Sequence, residues 1–181
     1  YLEAPKGAIY GLVGPNGAGK TTIINHITGV LKPERGTITV NGEDVWENER
    51  VKQSVLSIAD DWFYFGSFTV KQMAAFYRSV YPTFNDARYE AIKPIFGIDE
   101  KRQIRKLSKG IKKQVAFWLS LSAMPEALIL DEPLDGLDPV MRKQVLNLVI
   151  ADVADRNMTV LVSSHNLREL EDICDHVTTV T

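Results

Sequence analysis

The chain has 181 residues, 45% of them hydrophobic and 24% charged, which excludes a disordered or fibrous polypeptide and leaves enough apolar material for one substantial core. Its 21 basic and 23 acidic residues give a net charge of -2, so there is no global electrostatic case for nucleic acid as a partner, and any anion must be held by local groups. Cys174 is the only cysteine; no internal disulfide forms, a reducing cytoplasmic compartment is the simpler setting, and the thiol is expected to act as a small buried apolar side chain.

No stretch approaches the ~18 to 20 apolar residues of a membrane span, since even Val115 to Met124 is interrupted by Ser120 and Ser122. The sequence opens on Tyr1-Leu2-Glu3-Ala4-Pro5 without Met or a signal-peptide core, so trimmed ends are expected. Ala8 to Val13 reads as a buried strand running into Gly14-Pro15-Asn16-Gly17-Ala18-Gly19-Lys20-Thr21-Thr22 and then a helix carried by Ile23, Ile24 and Ile27. Gly29 suits the end of that helix, Gly36 to Val40 a strand closed by an Asn41-Gly42 turn, and Ser54 to Ala59 a further strand.

From Thr69 the pattern turns helical. Val70, Met73, Ala74, Phe76 and Tyr77 recur at helical spacing, Asn85 caps a second helix to Phe96 that Pro94 should bend or end, and Ser108 caps a third carrying Ile111, Val115, Trp118, Leu119 and Leu121. Leu128 to Leu130 returns to buried strand. A helix at Met141 to Asp155, a strand at Thr159 to Ser163 and a helix at Leu167 to Cys174 complete an α/β rhythm.

Gly14 to Thr21 matches G-x-x-x-x-G-K-[ST] between a strand and a helix. Gly14, Gly17 and Gly19 let the backbone turn its amides inward, Lys20 offers a cation to outer phosphates, Thr21 offers a hydroxyl to Mg²⁺, and the helix directs its positive end at the same anion. This loop alone does not choose among kinases, GTPases, recombinases and ABC proteins. Asp131 and Glu132 follow an apolar strand at the sheet edge where ligands collect; Asp131 is the natural metal partner and Glu132 the candidate to polarise an attacking water, the bland alternative being acids that cap the turn at Pro133. His165 ends another core strand, placed to meet a terminal phosphate or the water; His26 and His176 have no such context.

Taken in order, Gly14 to Thr22, Leu107-Ser108-Lys109-Gly110, Leu128 to Pro133, Asp135-Gly136-Leu137-Asp138-Pro139 and Ser164-His165 resemble the Walker A, signature, Walker B, D-loop and switch-histidine segments of ABC transporter nucleotide-binding domains. The resemblance covers essentially the whole chain, and the signature is what kinases and GTPases lack. It implies a P-loop NTPase core with a mainly parallel sheet, residues 1–65 and 125–181, and an inserted helical subdomain, residues 66–124. ATP and Mg²⁺ are the implied ligands. Gly14, Pro15, Asn16, Gly17, Ala18, Gly19, Lys20, Thr21 and Thr22 would hold ATP; Ser108 and Gly110 would cover ATP bound by a second copy or a paralogous subunit in a head-to-tail dimer.

Lys109 and Ile111 replace the consensus second glycine and glutamine, a pattern similar to bacterial bacitracin-resistance and acetoin-utilisation systems with separate motor and membrane chains. Asp60 aligns with the family's Mg²⁺-sensing glutamine, a shift to Asp61 remaining open, and a carboxylate there would be a third metal ligand beside Thr21 and Asp131. The family's adenine-stacking aromatic would lie upstream of Tyr1. The aromatic run Trp62 to Phe68 is expected to divide between core packing and docking of the membrane partner, while the basic run from Lys101 to Lys113 reads as a solvated face, with ATP in trans or lipid headgroups as alternatives.

The implied function is an ATPase motor for a separate integral membrane permease, at the cytoplasmic face of the membrane. A non-transport ABC ATPase of DNA repair or translation is the second reading; a repair protein would need a coiled-coil insertion for which the 111 positions between Lys20 and Asp131 leave no room, and a translation-linked one would be expected to carry a second cassette, an objection that trimmed ends weaken. A kinase would leave the signature unexplained.

Overall fold

Alternation along the strands sorts apolar side chains onto two faces. Ile9 and Val13 of β1 (Ile9–Val13), Leu128 and Leu130 of β5 (Ala127–Asp131), and Val160 and Val162 of β6 (Thr159–Ser164) join the larger core, while Leu12, Ile129 and Leu161 join a smaller one with Ile24, Val45 and Val51. The computed structural model describes residues 2–181; Tyr1, to which the sequence assigns no adenine-stacking role, lies outside the described residues.

With β4 (Val55–Ile58) and β7 (His176–Thr179) these strands form one sheet in the order β4-β5-β6-β1-β7. Every pairing in it is parallel, so each step requires a crossover. α1 (Lys20–Ile27), a two-stranded hairpin of β2 (Thr39–Val40) and β3 (Glu43–Asp44), and α2 (Glu49–Ser54) link β1 to β4. α3 (Val70–Val80), α4 (Asp86–Phe96), a 3-10 turn at Ile104–Lys106 and α5 (Lys109–Ser122) intervene before β5; α6 (Pro139–Arg156) and α7 (Leu167–Glu171) follow β5 and β6.

The inserted helices start on side-chain caps. Thr69 and Gln72 form a reciprocal capping box, and Asn85 and Ser108 accept from Arg88 and Ile111 amides. Val115 to Leu119 are wholly buried, and Trp118 stacks on Tyr89 at 4.6 Å while donating its indole N–H to the Tyr89 carbonyl at 3.0 Å. This packing ties α5 to α4.

Several boundaries differ from expectation. α2, β3 and β7 are additions; β2 begins at Thr39, and α7 ends at Glu171. α4 continues through Pro94 to Phe96 and closes on Gly97 at φ 60°. Cys174 is half-buried, with its thiol pushed up to about 11 by burial and then by Asp175. Among the described residues no helix is long and apolar enough to cross a membrane.

Candidate nucleotide site

Strand register brings the motifs together before any side chain is considered. β6 lies between β1 and β5, pairing Val13 with Ser164 and Asp131 with Ser163. The segments leaving these strands, Gly14 onward, Glu132 onward and His165 onward, therefore emerge side by side at the carboxyl edge of the sheet.

Gly17 and Gly19 adopt φ of 85° and 99°, left-handed geometry that an L side chain resists. A Cβ on Gly14 would collide with the Val180 carbonyl. Every other α-helix begins with a side-chain cap, supplied by Asn48, Thr69, Asn85, Ser108, Asp138 or Asn166; α1 begins on Gly19 with none. The first-turn amides of α1 are thus served by no capping side chain, the arrangement that suits an anion. Lys20 is buried, and its Nζ donates to the carbonyls of Gly14 at 2.6 Å and Pro15 at 3.1 Å, folding the loop around the cation.

Thr21 Oγ1 donates to Asp131 Oδ2 at 2.8 Å, and Ser163 Oγ donates to Asp131 Oδ1 at 2.5 Å. The hydroxyl and carboxylate expected to share a metal thus lie against one another, a donor set of hard oxygens that fits Mg²⁺. Ser163, buried and absent from the sequence-derived site, also accepts from the Glu132 amide at 3.2 Å. Its chemistry is ordinary for a strand, and only the β5–β6 register reveals it.

Glu132 sits at φ 46°, a conformation a non-glycine residue holds only when its surroundings over-determine it. Its Oε2 pairs with His165 Nδ1 at 3.0 Å; its Oε1 lies 3.7 Å from Lys20 Nζ and is buried without a hydrogen-bond partner. A buried carboxylate oxygen left in this way is a waiting acceptor. Asp135 joins the same corner, its ligand-type atoms lying with those of Glu132 and His165 within 4.8 Å of one another.

At the start of α5, Ser108 Oγ accepts from the Ile111 amide at 3.3 Å, leaving its own O–H free to donate. Gly110 packs so closely on Gly136 that a Cβ would strike the Gly136 carbonyl. The signature and D-loop of one chain are therefore in direct contact. Asp60 is engaged by α5: its Oδ2 accepts from Lys109 at 3.0 Å and its Oδ1 from Lys113 at 3.3 Å. Partial burial opposes ionisation of Asp60, but the two ammonium groups hold its carboxyl below the ordinary range. Both Asp60 oxygens thus face ammonium partners on α5.

The aromatic run divides. Trp62 is buried and donates to the Tyr77 hydroxyl at 3.1 Å, Phe65 packs on Phe68 and Phe76, and Tyr64 lies beneath Lys112. Phe63 is 67% exposed.

Comparison with known proteins places this geometry. The ABC transporter family profile matches residues 1–135. The ABC transporter ATP-binding protein YtrB of Bacillus subtilis is 35% identical over 176 residues, covering 97% of this chain and 60% of YtrB. The bacitracin transport ATP-binding protein BcrA of Bacillus licheniformis is 32% identical over 179 residues, covering 97% of this chain and 58% of BcrA; the chain thus spans less than two thirds of either relative. A solved ATP-binding subunit of an ABC transporter superposes with a TM-score of 0.90 at 27% identity, covering 99% of this chain and 77% of that one. With the phosphate loop, the paired carboxylates and the signature helix set on one parallel sheet, and three-quarters of the sequence within the family profile, the chain belongs to the ABC transporter family.

Proposed function

We propose that the chain binds and hydrolyses ATP as the motor subunit of a transporter whose membrane-spanning part is a separate protein. The observation that carries this reading is the convergence of Lys20, Thr21, Asp131 and Glu132, where a buried cation, a hydroxyl–carboxylate pair and an unpartnered carboxylate oxygen meet.

Lys20 exchanges the Gly14 and Pro15 carbonyls for outer phosphate oxygens, and residues 14–22 cradle the phosphates with backbone amides. Thr21 and Asp131 are the residues that would hold Mg²⁺, which supplies charge neutralisation at the phosphates. Glu132 Oε1 accepts the proton of the attacking water, and His165 orients that carboxylate through Oε2. Ser163 holds Asp131 and the Glu132 amide in register. Two copies, or this chain and a paralogue, assemble head to tail so that Ser108 and Gly110 of each cover ATP held by the other. Phe63, the exposed ring beside the helical insertion, is a docking anchor for the permease, and the motor works at the cytoplasmic face of the membrane.

Names of the relatives point to transport rather than repair or translation. Affinity purification of the tagged full-length protein from solubilised host membranes tests the transport reading. Recovery of a multi-span membrane protein is expected; strong DNA- or ribosome-stimulated ATPase activity without such a partner would contradict it.

A further inference from the structure

We infer that Lys113 is a positioning residue for Glu132: from the signature helix it holds the Glu132 main chain by a hydrogen bond, while Asp60 supplies its counter-charge. The inference rests on the ATPase reading and assigns work to a residue that the basic run makes look like one solvated lysine among many.

Lys113 is only 3% exposed, whereas Lys109, one turn earlier on α5, is 65% exposed. A lysine buried to that degree needs partners, because an uncompensated ammonium in the interior is costly. Two acceptors meet it: the Glu132 carbonyl at 2.9 Å and Asp60 Oδ1 at 3.3 Å. The Glu132 amide donates to the Ser163 carbonyl at 3.3 Å and to Ser163 Oγ at 3.2 Å. The residue at φ 46° is consequently held on both sides, its N–H by β6 and its C=O by α5. A left-handed glutamate is strained and persists only under such constraint.

Asp60 also reaches a second base of the same helix. An acid stands at position 60 and a base at position 109, and they meet: Asp60 divides its oxygens between Lys109 and Lys113, residues four apart on one helix face. Movement of the Asp60 loop relative to α5 is thereby coupled, through Lys113, to the carbonyl of Glu132.

The test compares full-length parent protein with Lys113→Met, Asp60→Ala and the double variant, measuring kcat and KM for ATP, equilibrium ATP binding, Mg²⁺ half-saturation and melting temperature. Lys113→Met is expected to lose about tenfold or more in kcat, with ATP affinity and KM within about threefold of the parent, the pattern of an interaction made during turnover rather than binding. Asp60→Ala, at an exposed position, is expected to lose kcat about threefold or more without shifting Mg²⁺ half-saturation, and to add nothing once Lys113 is Met. Parent-like kcat in Lys113→Met, a loss confined to KM, or additive effects in the double variant would overturn the inference. Should Lys113→Met fail to fold, Asp60→Ala decides alone: parent-like kcat or a shifted Mg²⁺ requirement overturns it. A parent protein that does not hydrolyse ATP would sink the ATPase reading and this inference with it; an active parent with unaffected variants sinks the inference only.

Discussion

Replacing Ser163 with Ala removes one oxygen from a fully buried strand position and introduces no new atoms. That oxygen donates to Asp131 at 2.5 Å and accepts from the Glu132 amide at 3.2 Å. Asp131 retains Thr21 as a donor at 2.8 Å on its other oxygen, Oδ2, and the Glu132 amide retains the Ser163 carbonyl at 3.3 Å, so each group keeps one partner while Asp131 Oδ1 loses its own. The loss is mainly that of a hydrogen bond to a buried carboxylate, worth roughly 1.5–3 kcal/mol. For a chain of this size that corresponds to a fall of about 3–12 °C in melting temperature. Circular dichroism melts of parent and variant read the stability. Steady-state ATP hydrolysis on the same samples should fall about tenfold or more, because the carboxylates proposed to hold the metal and to polarise the water lose their shared support. A variant that melts within about 1 °C of the parent and turns over at the parent rate would refute the claim that Ser163 organises the site.

Gly110→Ala places a methyl against the Gly136 carbonyl; displacement of the D-loop should cost about 1–3 kcal/mol and weaken ATP-dependent dimerisation more than ATP binding by the separate chain, as read by melting and analytical ultracentrifugation. Glu100 accepts from the Tyr89 hydroxyl at 2.7 Å and pairs with Lys93 at 3.0 Å, and the Tyr89 bond, against opposing burial and with Lys93 adding to it, holds its carboxyl below the ordinary 4.5. Because the folded-state value is depressed, this stabilisation is complete above the ordinary carboxyl value and is lost as pH falls through the lower one. Glu100→Gln should therefore melt lower than the parent at neutral pH by an amount on the order of 0.5 kcal/mol, with the gap closing in acid. Phe63→Ser should leave ATP hydrolysis by the separate chain unchanged and reduce co-purification of the proposed membrane partner about tenfold.

Local pattern made much of the architecture legible. The apolar run before Asp131 and Glu132 read as a buried strand, and β5 is one; Asn85 and Ser108 announced the starts of α4 and α5 through their capping chemistry, while α3 showed in its helical spacing from Thr69. β7 was illegible because it is an edge strand whose residues are mostly exposed, held to β1 by backbone pairing that carries no hydrophobic signature. α2 was too short to show a helical period. At the candidate site, residues 14–22 and the 131–132 pair were legible because each is a contiguous segment whose spacing carries its pattern. Ser163, Lys113 and the engagement of Asp60 did not, since each depends on contacts tens of residues apart in sequence. A lysine in a basic run carries no mark of being the buried one; the rotation of α5 against the sheet decides that.

The most direct trial of the ATPase account is single-turnover hydrolysis of bound ATP by full-length Glu132→Gln, with oligomeric state followed in parallel. Gln keeps the shape and an acceptor oxygen but cannot take the proton from water, so ATP should remain bound, a stable ATP-loaded dimer should accumulate, and hydrolysis should slow by about a hundredfold or more. Hydrolysis at the parent rate would remove Glu132 as the base and contradict the account at its centre.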